Sequence, residues 1–192
     1  MEDSQIRREQ RPVTIQTSRG TLEGELEIGV TLRTLDRLNL LQHAFVTIEK
    51  PRVVNGDWSI EPDTLVLNTS CILFVVERSN PKREHSDLVE SARFSRSAVR
   101  LQVGRFEIQG FLHVPGEGRT LVRLKQDQHA FLALTSASVV GPDTAFASSF
   151  VAVNRAHLLA AQEMDHDAGL GNQNDVSWSQ ASVRSDRPTV DR

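Results

Sequence analysis

From Val13 the chain alternates apolar and polar positions. Val13, Ile15 and Thr17 flank Thr14 and Gln16, the period-two pattern of a half-buried strand. Arg19-Gly20 breaks the run, and Leu22, Gly24, Leu26 and Ile28 then alternate with Glu23, Glu25 and Glu27. One apolar face and one row of carboxylates predict an antiparallel strand with a wet side. The two strands are expected to form a hairpin, with Gly20 free to take a positive φ in the turn. Ala44 to Glu49 predicts a third strand. Pro51 interrupts it, and Arg52-Val53-Val54 continues at an edge or bulge. Asn55-Gly56-Asp57 and Glu61-Pro62-Asp63 mark a loop around Trp58. Thr64 to Asn68 predicts a fourth strand. Cys71 to Val76, the most apolar run, predicts a fifth and best-buried one.

The pattern then restarts. Val99-Arg100-Leu101-Gln102 matches Val13-Thr14-Ile15-Gln16, Gly110 matches Gly24 and Leu112 matches Leu26. Val139-Val140 matches Val53-Val54, Asn154 matches Asn68 and Glu163 matches Glu77. One constant offset, the one that takes Arg33 to Arg119, relates all of them. It also superposes the two longest identities. Arg33-Thr34-Leu35-Asp36-Arg37-Leu38-Asn39, with Gln42-His43-Ala44-Phe45 behind it, returns as Arg119-Thr120-Leu121-Val122-Arg123-Leu124-Lys125 and Gln128-His129-Ala130-Phe131. Two copies at so long a period indicate a tandem duplication rather than a solenoid. Within the repeated stretch Leu35 and Leu38 stand three apart, so one helical turn directs both toward a core.

The predicted fold is all-β: two tandem, duplicated small β-barrel or sandwich units of about five strands each. The expected organisation is a flexible arm over 1–12, a first unit over 13–77, a polar linker over 78–98 with room for a short helix, and a second unit over 99–163. A polar tail rich in Asp, Gly, Asn, Ser and Gln follows over 164–192, and disorder is expected there.

Charge narrows the partners. The net charge of −3 gives no general attraction for nucleic acid or an anionic membrane. The halves differ: residues 13–77 carry five Lys/Arg against nine Asp/Glu, about −4, and 99–163 carry six against five, about +1. The asymmetry suits head-to-tail contact, within the chain or between chains, in which Arg119, Arg123 and Lys125 meet the glutamate row. No apolar run is long enough to span a bilayer and no secretory signal is visible. With the single Cys71 this reads as a cytoplasmic protein without an internal disulfide.

The candidate binding residues are Arg33, Asp36, Arg37 and Asn39 in the first copy and Arg119, Arg123 and Lys125 in the second. An Arg/Asp/Asn set can hold a small anion or a nucleotide edge. The same residue types commonly cap turns. The second copy has Val122 and Lys125 where the first has Asp36 and Asn39, so the two copies cannot share one chemistry at these positions. His43 and His129 lack metal-ligand spacing and are expected at strand starts, bonded to backbone. Asp165-His166-Asp167 lies in the polar tail, and Cys71 is expected to be a buried, inert thiol. No catalytic, metal or cofactor motif is present, so no enzyme is predicted.

Gly20 to Leu26, Asp36 to Asn39 and the closing Asn68 to Glu77 resemble the hairpin, Asp/Asn loop and last strand of Sm-like small barrels. That likeness implies RNA- or nucleotide-binding through the Asp/Asn loop. Arg33, Asp36, Leu38, Asn39 and Phe45 also resemble an uncharacterised bacterial family of small β domains with an R-x-S-D-x-L-N signature, which implies the fold and no activity. The first expectation for function is a non-enzymatic binding or assembly module acting through strand edges and the duplicated loops. Its partner is then another protein or a second copy of itself. The alternative is Sm-like RNA or nucleotide binding, which the acidic first unit disfavours.

Overall fold

A computed structural model describes residues 8–29, 32–40, 44–56, 58, 63–78, 94–115 and 119–164. They form ten strands and two short helices. The strands are β1 (Arg8–Thr17), β2 (Gly20–Gly29), β3 (Phe45–Gly56), β4 (Thr64–Asn68), β5 (Ile72–Glu77), β6 (Phe94–Val103), β7 (Phe106–Pro115), β8 (Phe131–Gly141), β9 (Thr144–Asn154) and β10 (Leu158–Glu163). Helix α1 (Thr34–Asn39) lies between β2 and β3, and α2 (Thr120–Gln126) between β7 and β8. The all-β expectation holds.

All ten strands join one antiparallel sheet in the order β10-β6-β7-β8-β9-β5-β1-β2-β3-β4. The first half contributes β5-β1-β2-β3-β4 and the second β10-β6-β7-β8-β9, so one strand order occurs twice. The two runs meet where β5 pairs β9, with Phe74 opposite Val153, Val75 opposite Ala152 and Val76 opposite Val151.

Each half turns its alternating strands around a buried cluster. Val13, Ile15, Leu22, Leu26, Ile28, Val46 and Ile48 build the first; Val99, Leu101, Ile108, Leu112, Leu134 and Val139 build the second. The bend that lets a sheet do this is placed identically in both. The β2–β3 register shifts between Glu23 and Glu25, and the β7–β8 register between Gln109 and Phe111. Opposite the shifts, Lys50 and Ser136 take left-handed φ values of 47° and 48°. An extra residue at such a point bends and twists the strand. This is why both copies keep a glycine there. A Cβ on Gly24 would stand 2.5 Å from Ile48 Cγ2, and one on Gly110 would stand 3.1 Å from the Thr135 carbonyl oxygen. Pro51 therefore does not end β3; it follows directly on the bulge.

Three sequence boundaries move. Residues 8–12, expected in a flexible arm, belong to β1. Pro12 is tolerated inside a strand because its carbonyl accepts from the Arg78 N–H just past the end of β5. The missing N–H faces the same side, where the ladder has run out. Residues 94–98, expected in the linker, already form β6; the rest of the proposed linker helix and the tail from 165 lie outside the described residues. Cys71 is not in the fifth strand. The Asn68 side chain accepts from the Ser70 N–H and closes a 3-10 turn over Thr69–Cys71, so the strand begins one residue later and Cys71 is exposed.

Candidate functional site: the joint and the two open edges

The two R-T-L-x-R-L stretches fold as single short helices whose shared residues are structural. Thr34 and Thr120 are buried, as are Leu38 and Leu124, while Leu35 and Leu121 pack at the margins of the two cores. The Thr34 hydroxyl donates to Glu77 Oε2 at 2.6 Å, and Arg11 holds Glu77 Oε1 at 2.9 Å. In the second half Glu163, at the equivalent place, accepts from the Leu121 N–H at 3.2 Å, and Thr120 donates to Ser97. Each helix start is thus tied to its own half, and a closing glutamate takes part in both. The duplicated Thr and Glu were visible in the sequence, yet nothing there marked them as partners.

The residues that differ between copies do different things. Asp36 Oδ2 accepts from the Arg33 N–H at 3.1 Å, closing the helix start. Arg37 donates through Nε to the Glu27 carbonyl, and its buried Nη1 has no acceptor among the described residues. Asn39 crosses into the other half. Its Nδ2 donates to the Phe131 carbonyl at 3.0 Å and its Oδ1 accepts from the Phe131 N–H at 2.7 Å. One amide therefore satisfies both backbone groups of the residue that opens β8. In α2, Val122 and Lys125 are exposed, as is Arg119, whose carbonyl accepts the Arg123 N–H. Helix α1 packs against β2 and β8, whereas α2 packs against β7 and β10. Of the first-copy candidates, Asn39 bonds across the joint, while Asp36 and Arg37 bond within their own half; the second-copy candidates sit on the turn of the other half.

Phe131 shows what the joint covers. It is 1% exposed and belongs to the first half's cluster, together with Ala152 of β9. In return Leu73, Phe74 and Val76 of β5 pack into the second half's cluster, with Phe74 edge-on to Phe106 at 5.2 Å between centroids. The Asn154 Nδ2 donates to the carbonyls of Thr69 (3.0 Å) and Ile72 (2.8 Å), and His157 Nε2 lies 2.7 Å from the Ser70 carbonyl. The joint is thus a two-way exchange of apolar side chains framed by two asparagines.

The same positions on the outer strands are uncovered. Phe45, equivalent to Phe131, is 52% exposed. Val66 of β4, equivalent to the fully buried Ala152, is 62% exposed. Leu159 of β10, equivalent to Leu73 at 6%, is 71% exposed. Phe45 has no neighbouring half to cover it and so does not enter a core as Phe131 does.

Within the chain, Glu23 meets Arg52 and Arg78, and Glu25 meets Lys50 at 3.2 Å. Lys50 and Arg52 lie on β3, directly beside β2. His129 bonds the Asp127 carboxylate rather than backbone, at 2.7 Å. His43 and Asp165-His166-Asp167 lie outside the described residues. Burial, and secondarily the Arg96 charge, hold the His113 pKa below its ordinary value. Among the described residues no three His, Cys, Asp or Glu side chains gather as metal ligands, and no helix is long and apolar enough to cross a membrane.

Comparison of the chain with protein-family models, with curated proteins and with solved structures gave no match.

Proposed function

We propose that the chain is a duplicated pair of small β units acting as a non-enzymatic binding and assembly module in the cytoplasm, with its outer strand edges as the working surfaces. The observation that carries this reading is the pair of open edges, β4 and β10. Each presents an apolar residue, Val66 or Leu159, whose counterpart is buried where the halves join. An uncovered strand edge offers unpaired N–H and C=O groups along with those side chains, and natural proteins ordinarily blunt such edges. An extended segment that adds to the sheet would satisfy both. Helix α1 supports this role by holding the start of β8 through Asn39. Asp36 and Asn39, which an RNA-binding loop would use, are engaged by the Arg33 N–H and by Phe131.

The test is binding of short strand-forming peptides, apolar at alternate positions, to the whole chain by fluorescence anisotropy. Saturable binding that Val66→Lys or Leu159→Lys weakens at least about tenfold supports the reading. No binding of any such peptide, with a salt-sensitive affinity for RNA instead, would overturn it.

A further inference from the structure

The internal joint is a template for a contact that the chain leaves unused at both ends of its sheet. We propose that β4 of one copy pairs with β10 of a second copy, repeating between chains the joint that β9 and β5 make within one. The proposal rests on the edge-assembly reading above and names the partner. The repeat fixes the register. Val153 opposite Phe74, Ala152 opposite Val75 and Val151 opposite Val76 become Leu67 opposite Ala160, Val66 opposite Ala161 and Leu65 opposite Gln162.

Three observations converge on a second copy rather than an unrelated strand. The first is burial. Phe45, Val66 and Leu159 are exposed, and each maps onto a residue that the internal joint covers: Phe131, Ala152 and Leu73. The second is the asparagine frame. Asn68 makes the same local bond to the backbone two residues on as Asn154 does. In Asn154 the Nδ2 is left to reach the carbonyls of Thr69 and Ile72. The matching acceptors for Asn68 are the carbonyls of Arg155 and Leu158 in the second copy. The third is charge. A head-to-tail contact sets the first half of one copy, about −4, against the second half of another, about +1.

The contact is heterologous, so each copy keeps one open edge after pairing, and growth continues until a closed assembly or an open chain results. It is also weaker than its template. Lys125 stands where Asn39 clamps Phe131, and Ala160 and Gln162 stand where Phe74 and Val76 fill the neighbouring core. The assembly is therefore reversible, forming as concentration rises and dissolving on dilution.

The experiment uses the full chain and two variants, Val66→Glu and Leu159→Glu, each at an exposed position. Sedimentation velocity follows mass against concentration, and amide hydrogen exchange reads β4 and β10 of the unsubstituted protein. The expected result is mass rising above the monomer with concentration, with edge amides slowing about tenfold or more. Each variant alone stays monomeric, and their equimolar mixture forms a one-to-one heterodimer through the single intact edge on each. Self-association of the Leu159→Glu variant equal to that of the unsubstituted chain would overturn the head-to-tail pairing. A strict monomer whose β4 amides are protected by an added strand peptide would overturn the self-partner and leave the edge-binding reading standing. A strict monomer whose edges no peptide protects would remove both.

Discussion

Helices α1 and α2 are built from nearly the same string, yet only α1 is a bridge. Both bury a threonine and a leucine against their own half, and both are tied to a closing glutamate. Only α1 ends in an asparagine, Asn39, which holds the backbone of Phe131 from the other half. Between the two helices, what is identical serves each half's own core, and what differs at Asn39 serves the other half.

Substitution can break this comparison at several places. The largest difference is expected between Phe131 and Phe45. Phe131→Ala empties a buried site and should cost about 3–5 kcal/mol in denaturant unfolding. Phe45→Ala at an exposed position should stay within about 0.5 kcal/mol in dilute protein. Equal losses would show that the two halves do not share cores as described. Next come the helix ends. Asn39→Ala strands the N–H and C=O of Phe131 and should cost about 1–3 kcal/mol, whereas Lys125→Ala should be near neutral. Asp36→Ala removes the bond to the Arg33 N–H and is expected to cost about 0.5–2 kcal/mol. Its counterpart position, Val122, is exposed, so Val122→Ala should have a smaller effect on the thermal midpoint.

The smallest effect concerns pH. His113 and Glu27 occupy equivalent positions in the two halves, and His113 is held below its ordinary pKa of about 6.5 by burial and then by Arg96. The unfolded chain therefore binds the proton more readily than the folded one. Stability should be full above the ordinary value and fall as pH drops through it toward the folded pKa, levelling off below. His113→Gln should flatten that slope, read as the denaturation midpoint against pH between neutral and mildly acidic buffers. An unchanged slope would mean that the ring keeps its ordinary affinity for the proton.

Much of this architecture was legible in the sequence because it rests on local pattern. Alternation gave the strands from Val13 and Val99, Pro51 marked an edge or bulge in β3, and Leu35 and Leu38 gave the helical turn. What could not be read is where those elements meet at a distance. Asn39 and Phe131 lie far apart in the chain, and nothing in either one's neighbourhood names the other. Cys71 was misplaced for a related reason: hydropathy extends the apolar run through it, but the Asn68 side chain opens a 3-10 turn that holds Cys71, so the strand begins one residue later. Two of the cations beside the acidic row, Lys50 and Arg52, could not be assigned to it from charge counts because the pairing follows the β2–β3 adjacency.

Strand β5 has a further consequence for the order in which the chain can fold. It is the last strand of the first half to leave the ribosome, and Leu73, Phe74 and Val76 have no core of their own to enter. Their cover, Val151 and Val153 of β9, is synthesised only after most of the second half has emerged. For that interval the nascent protein carries an unpaired, apolar strand edge, the kind of intermediate that invites misassembly. A chain halted at Arg78 is accordingly expected to bind more of an apolar dye than the finished chain does, read as dye fluorescence at equal protein concentration.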